Sequence, residues 1–263
     1  MKSATPTVWQ PGWKTLLAIG LAAWLIYLLI SFPAARAWAW WGSDVPGLQV
    51  ASVEGTVWHG SLRGVRYENF SARSISWQLS PAALLRLRAV LALDVRLEDG
   101  FVTSRVQAAP SGAVELTDLQ GQVALPVLAP MLELPPNMVE GQINFGFDQV
   151  LINGLPRQAQ GRATLGQAGF RVGRRLTELG NFAADIHTSE EQVLMADIRD
   201  HGEGPLAVEG AAQFNPADGR YSSNLRIQVR ESGTELERML EGGLRKDRDG
   251  NYLLNYNGRL QFP

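Results

Sequence analysis

Three histidines, His59, His187 and His201, are the only imidazoles in this 263-residue chain, and it contains no cysteine. Imidazole set beside carboxylate is the commonest source of acid–base catalysis and of zinc ligation. His187 and His201 stand near Asp185, Asp197 and Asp200, the one stretch where these residue types gather. No H-E-x-x-H run and no histidine pair four residues apart accompanies them. The acidic, glycine-containing stretch from Thr188 to Gly204 reads instead as a solvated hairpin. Asp247-Arg248-Asp249-Gly250-Asn251 resembles part of a calcium loop, yet it lacks the full ligand spacing and the later bidentate glutamate, so it reads as a turn. No G-x-S-x-G, Walker A or G-x-G-x-x-G sequence is present. Without a thiol, cysteine catalysis is excluded. The expectation is a non-enzyme with no catalytic residues, no cofactor and no metal site.

Charge removes a further class. Of 24 basic and 26 acidic residues, Lys2, Lys14 and Arg36 belong to the N-terminal segment, which leaves 21 basic against 26 acidic in the body. Phosphate backbones attract clustered positive charge, so no nucleic-acid partner is expected. Arg171, Arg174 and Arg175 form the only notable basic cluster and read as a solvated turn.

Something must hold this body in place, and the chain supplies it at the start. Thr15 to Ala35 is an uncharged stretch of about the 20 apolar residues that a bilayer-crossing helix needs. Trp9 and Trp13 precede it, and Trp38, Trp40 and Trp41 follow, as interfacial aromatics do. Ala35-Arg36-Ala37 and Ala37-Trp38-Ala39 offer the rival reading of a cleaved signal peptide, but the apolar run exceeds a typical signal core. The expected organisation is a cytoplasmic N-terminus over 1–14, a transmembrane helix over 15–35 and a β-rich domain over 36–263. Lys2 and Lys14 before the span favour that orientation.

The body alternates with the period of a strand. Leu91, Leu93, Val95 and Leu97 occupy every second position, and Asp99-Gly100 then reads as a hairpin turn. Ile143, Phe145 and Phe147 alternate with polar residues, as do Tyr221, Ser223, Leu225, Ile227 and Val229. A turn at Asp249-Gly250 leads to a late strand through Tyr252 and Tyr256. Helices are few and short: Ser80-Pro81 opens one to about Arg88, Thr234 caps one that Gly242-Gly243 ends, and Pro126 to Leu132 is a third candidate. Glycines at 55, 121, 141, 161, 210 and 258 each lead a strand-like run, which suggests stacked hairpin units with a bend or a close backbone approach at each strand start. The fold class expected is mainly β: one N-terminal transmembrane helix, then a curved, largely antiparallel sheet of repeated strand units with two or three short helices.

Two motifs resemble a known family. Gly55-Thr56-Val57-Trp58-His59-Gly60, about 20 residues ahead of Trp77-Gln78-Leu79-Ser80-Pro81-Ala82-Ala83-Leu84-Leu85, resembles the paired tryptophan motifs of type II secretion system protein N, the general secretion pathway protein N of Gram-negative bacteria. The order of parts is also similar to that family, which in turn is similar to AsmA-like envelope proteins. The resemblance implies a single-pass protein of the bacterial inner membrane with a periplasmic body. It implies an accessory role in assembly or stability of the apparatus that exports folded periplasmic proteins. Its partners would be other inner-membrane components of that machine or the outer-membrane secretin. The AsmA-like similarity implies an alternative, a lipid-binding or lipid-transfer protein with an apolar trough. Within the motifs, Trp58 and Trp77 either pin neighbouring strands or one of them is an exposed anchor for a partner. Gly55 and Gly60 bracket the strand, Thr56, Val57 and Leu79 belong to the same motif set, and Pro81 starts the short helix.

Overall fold

The computed structural model describes residues 13–42, 45–67, 70–84, 88–129, 135–172, 175–202, 204–231 and 233–259. Most of the expected cytoplasmic segment, Arg174, Leu85 and Leu132 lie outside them.

The apolar run folds as α1 (Trp13–Ile30). Its exposed side chains include Leu17, Leu21, Trp24 and Tyr27, so the protein itself does not cover them. The helix ends before Ala35 because Pro33 lacks the N–H that would continue it and disfavours helical geometry at Phe32. Eighteen residues rise about 27 Å at 1.5 Å per residue, against a hydrocarbon core of about 30 Å. Among the described residues, no helix is long and apolar enough to cross a membrane.

After the Pro33 elbow, α2 (Ala34–Trp41) turns back beside the first strand. This helix was not expected, and with α3 (Pro81–Leu84), α4 (Leu125–Leu128) and α5 (Glu235–Gly243) it brings the short α-helices among the described residues to four, beside one 3-10 turn at Pro136–Met138.

All described strands join one open antiparallel sheet of 14. Strands β1 (Leu48–Gly55), β2 (His59–Tyr67), β3 (Phe70–Leu79), β4 (Ala89–Leu97), β5 (Gly100–Ala108) and β6 (Val114–Ala124) follow each other as neighbours. The meander continues through β7 (Val139–Asn153), β8 (Leu155–Val172), β9 (Arg175–Thr188), β10 (Leu194–Asp200), β11 (Leu206–Asn215) and β12 (Arg220–Val229). Only the end departs from chain order: β14 (Tyr252–Arg259) pairs with β12, and the two-residue β13 (Arg245–Lys246) lies outside it. Exposure alternates along the middle of β7, residues 142–148, and along β12, residues 224–229, as in a sheet with one face turned to apolar cover.

Two separate cores form on this sheet. Val65, Ala72, Leu97 and Val123 are buried together, with Val127 and Leu128 of α4 packed on them. Leu206, Val208, Ile227 and Tyr252 form the other, closed by Leu236 and Leu240 of α5. Thr234 caps α5 by accepting from the Glu237 N–H, as its sequence predicts. The Pro126 candidate is the four-residue α4, shifted to start at Leu125.

Two sequence expectations are corrected. The β4–β5 hairpin turns on Glu98 and Asp99, with Leu97 paired to Gly100, because Gly100 already sits in the strand. Most of the recurring glycines do not start strands: Gly55 ends β1, Gly121, Gly161 and Gly210 lie inside β6, β8 and β11, and Gly258 lies near the end of β14, while Gly141 does stand near the start of β7, at a register shift. Three of them serve close approach. Gly121 pairs across strands with Phe145, Gly161 with Phe147 and Gly258 with Tyr221, and a methyl group on any of the three would overlap that ring. An aromatic side chain laid over a bare glycine backbone restores the packing that the missing Cβ forfeits.

Candidate functional site: the helix–sheet junction

The two tryptophan motifs meet at the point where α1 reaches the sheet. Gly55 adopts φ +87°, a left-handed conformation that suits glycine, and so turns β1 into the motif loop. The Thr56 N–H donates to the His59 carbonyl at 2.7 Å, and the Thr56 hydroxyl oxygen accepts from the His59 N–H at 3.2 Å. The loop is thereby closed on itself.

The second motif is bonded onto this loop. Trp77 donates its indole N–H to the Val57 carbonyl at 2.9 Å, and the Leu79 N–H donates to the Trp58 carbonyl at 2.7 Å. Gly60 pairs with Trp77 across β2 and β3, and its bare backbone receives the indole ring; a methyl there would overlap it. Trp58 and Trp77 are both half-buried. Pro81 begins α3, as its sequence predicts.

The junction also takes in residues that the motif pattern did not single out. The Val57 N–H donates to the Phe32 carbonyl at 3.1 Å, and Pro33 bridges to Thr56 in antiparallel fashion. Ala34 is buried here at 3% exposure, and the Phe32 ring lies 5.7 Å from that of Trp40. The end of α1 is therefore hydrogen-bonded to the sheet through the motif loop. Pro33, which interrupts the apolar run, was the one sequence signal for this contact.

The carboxylates near the histidines are committed elsewhere. Asp185 lies between Arg162 and Arg199, and the hydrogen bond from Arg162 foremost holds its carboxyl below the usual range. Burial pushes Asp200 up, but hydrogen bonds from Arg230 and from the Gly202 and Val208 N–H groups outweigh it and lower its pKa. His187 Nδ1 stands 3.7 Å from Asp197, and His201 is exposed at the start of the β10–β11 connection. Among the described residues, no group of three or more His, Cys, Asp or Glu could hold a metal ion. Asp247 accepts from the Asn251 side chain and from the Asp249 and Asn251 N–H groups, which lowers its pKa and makes the acidic run a closed turn. Arg171 pairs with Glu140.

A cleft of about 740 Å³ opens where bulges interrupt β7, β8 and β9. Its lining is mixed, with Glu140, Gln142, Gln167, Glu178 and Asn181 beside Pro126 and Leu176. At the sheet's ends, α2 flanks β1, whereas β13 pairs only with Tyr252 and Leu253 of β14, so the edge beyond Leu253 has no neighbouring strand among the described residues.

These features define a class: a single-sheet antiparallel meander, bonded through one loop to an N-terminal apolar helix, with an edge of β14 that has no neighbouring strand among the described residues. The family model for type II secretion system (T2SS), protein N matches residues 46–255. The chain belongs to that family, and so is a component of the type II secretion system. Among curated relatives, type II secretion system protein N of Vibrio cholerae serotype O1 is 27% identical over 229 residues, spanning 81% of this chain and 86% of the relative. No solved structure matches the chain.

Proposed function

We propose that the chain is an accessory, non-enzymatic component of the type II secretion system, tethered to the bacterial inner membrane and supporting assembly or stability of the apparatus. The tether is α1, with its N-terminus cytoplasmic and the sheet periplasmic. A helix that is apolar all round needs a lipid or protein environment, and α1 exposes such residues on every described side. Lys2 and Lys14 ahead of it support the orientation. Hydrogen bonding between Phe32 and Val57 is the observation that carries the reading, because it makes helix and sheet one mechanical unit. Partners are other inner-membrane components of the machine or the secretin, engaged by β-augmentation at the open edge of β14.

The lipid-transfer alternative lacks a favouring observation. Apolar residues on the sheet are gathered into two cores that α4 and α5 close, and the cleft across β7, β8 and β9 sets carboxylates and amides among its apolar residues rather than forming a continuous apolar trough.

Deleting the gene in its host and assaying export of folded periplasmic proteins, alongside co-purification from detergent at native abundance, tests the proposal. Export should fall and other secretion components should come down with the protein. Intact export together with an empty pull-down would contradict it.

A further inference from the structure

Beside α1, the two rims of the sheet differ in chemistry. Antiparallel order puts the β1–β2 loop, α3 and the β5–β6 turn on the rim where α1 arrives, and the β4–β5 turn on the opposite rim. The α1-side elements are linked closely. Phe32 bonds Val57, Leu79 bonds Trp58, α3 begins two residues after Leu79, and Ala89 beyond it pairs with Ala108 at the mouth of the β5–β6 turn.

Pro81, Ala82, Leu84, Ala109 and Pro110 are all exposed on this rim, with Leu84 at 38%. In the part of this rim nearest α1 the described residues of 55–59, 79–84, 88–89 and 108–114 include no aspartate or glutamate, while Arg88 and the nearby Arg36 are exposed; the acidic pair of this rim, Glu190 and Glu191, lies four strands further on in the β9–β10 turn. The opposite rim carries exposed Glu98 and Asp99. Basic side chains beside exposed apolar ones match an anionic phospholipid surface, where cations meet headgroups and small apolar groups reach the acyl boundary. Carboxylates on the far rim are repelled from the same surface.

The geometry points to a second membrane contact: the α3 and β5–β6 rim rests on the outer, periplasmic face of the bilayer that α1 enters, so the sheet stands on the membrane rather than swinging from a tether. This rests on the reading of α1 as the anchor. Two points of attachment fix the direction in which the sheet, and with it the open edge of β14, extends from the bilayer.

The natural absence of cysteine makes the test direct. Single variants Leu84→Cys, Ala109→Cys, Glu98→Cys and Leu21→Cys of the full chain would carry a nitroxide. The labelled proteins would be reconstituted in bilayers of phosphatidylethanolamine with phosphatidylglycerol, and collision with a water-soluble nickel chelate compared with that of oxygen. Nickel collision at positions 84 and 109 should be several-fold lower than at 98, and lowest at 21. Positions 84 and 109 matching 98, with 21 protected, would overturn the rim contact and leave the anchor standing. Position 21 open to nickel would overturn the anchor, and the rim contact with it.

Discussion

Trp77 joins two distant motifs through one atom and one ring face. Its indole N–H serves the Val57 carbonyl, and its ring fills the space over Gly60. Trp77→Phe removes the donor and should lower stability by about 1 kcal/mol, the net worth of a typical hydrogen bond. Gly60→Ala attacks the same contact from the other strand and should cost roughly 1–3 kcal/mol, as overpacking does. Urea titration of the two single variants and the double variant would check this, with non-additivity expected because the residues touch. The motif residues could be picked from sequence, since tryptophan and glycine repeat at recognisable spacing. Their pairing could not, because hydrogen bonds between residues 20 apart depend on strand register, which alternation alone leaves open.

Helix α5 shows which parts of an element announce themselves. Thr234 as a cap and Gly242-Gly243 as a stop were readable because each answers a local demand of the helix ends. Thr234→Ala should cost about 1 kcal/mol, readable as a lower melting temperature. What local pattern did not reveal was the clamp behind it. Glu237 accepts from the Gly233 N–H at 2.7 Å, and Lys246 of β13 reaches both Glu237 and Glu241. The Gly233 bond first, then Lys246, lowers the Glu237 pKa from its ordinary 4.5. A depressed folded pKa adds stability that is fully present above the unfolded value and is lost as pH falls through the folded one. Melting temperature should therefore drop on acidification below about 4.5 in a manner that Glu237→Gln reduces. The same distinction explains the strands: β4, β7 and β12 were visible as alternation, while the bulges of β7 and β8 were hidden in runs such as Leu165 to Gly169, where the register slips. Helix α2 was missed because its tryptophans read equally well as a membrane-interface belt.

A meander in which nearly every strand pairs with its chain neighbours distributes stability along its length, much as a repeat protein does. The two cores, one under α4 and one under α5, share no residue. Leu206→Ala should cost roughly 2–5 kcal/mol and loosen the α5 end. Val65→Ala should loosen the other end. Hydrogen exchange on each variant would check whether protection falls only in the half that carries the substitution. An open sheet also keeps usable edges, and the two ends are unequal: β1 and β14 beyond Leu253 each pair with a strand on one side only among the described residues, but α2 flanks β1.

That inequality allows the central claim, a tethered sheet serving the secretion machine through its free edge, to be tested at one residue. Tyr256 lies on β14 at 58% exposure, beside Tyr221. A photo-crosslinking amino acid placed at Tyr256 of the full-length protein, expressed at native level in cells with an active type II system, should capture another component of that system. The same label at exposed Asp99, on the opposite rim, should not. Equal capture at both positions, or no secretion component captured at 256, would contradict the account.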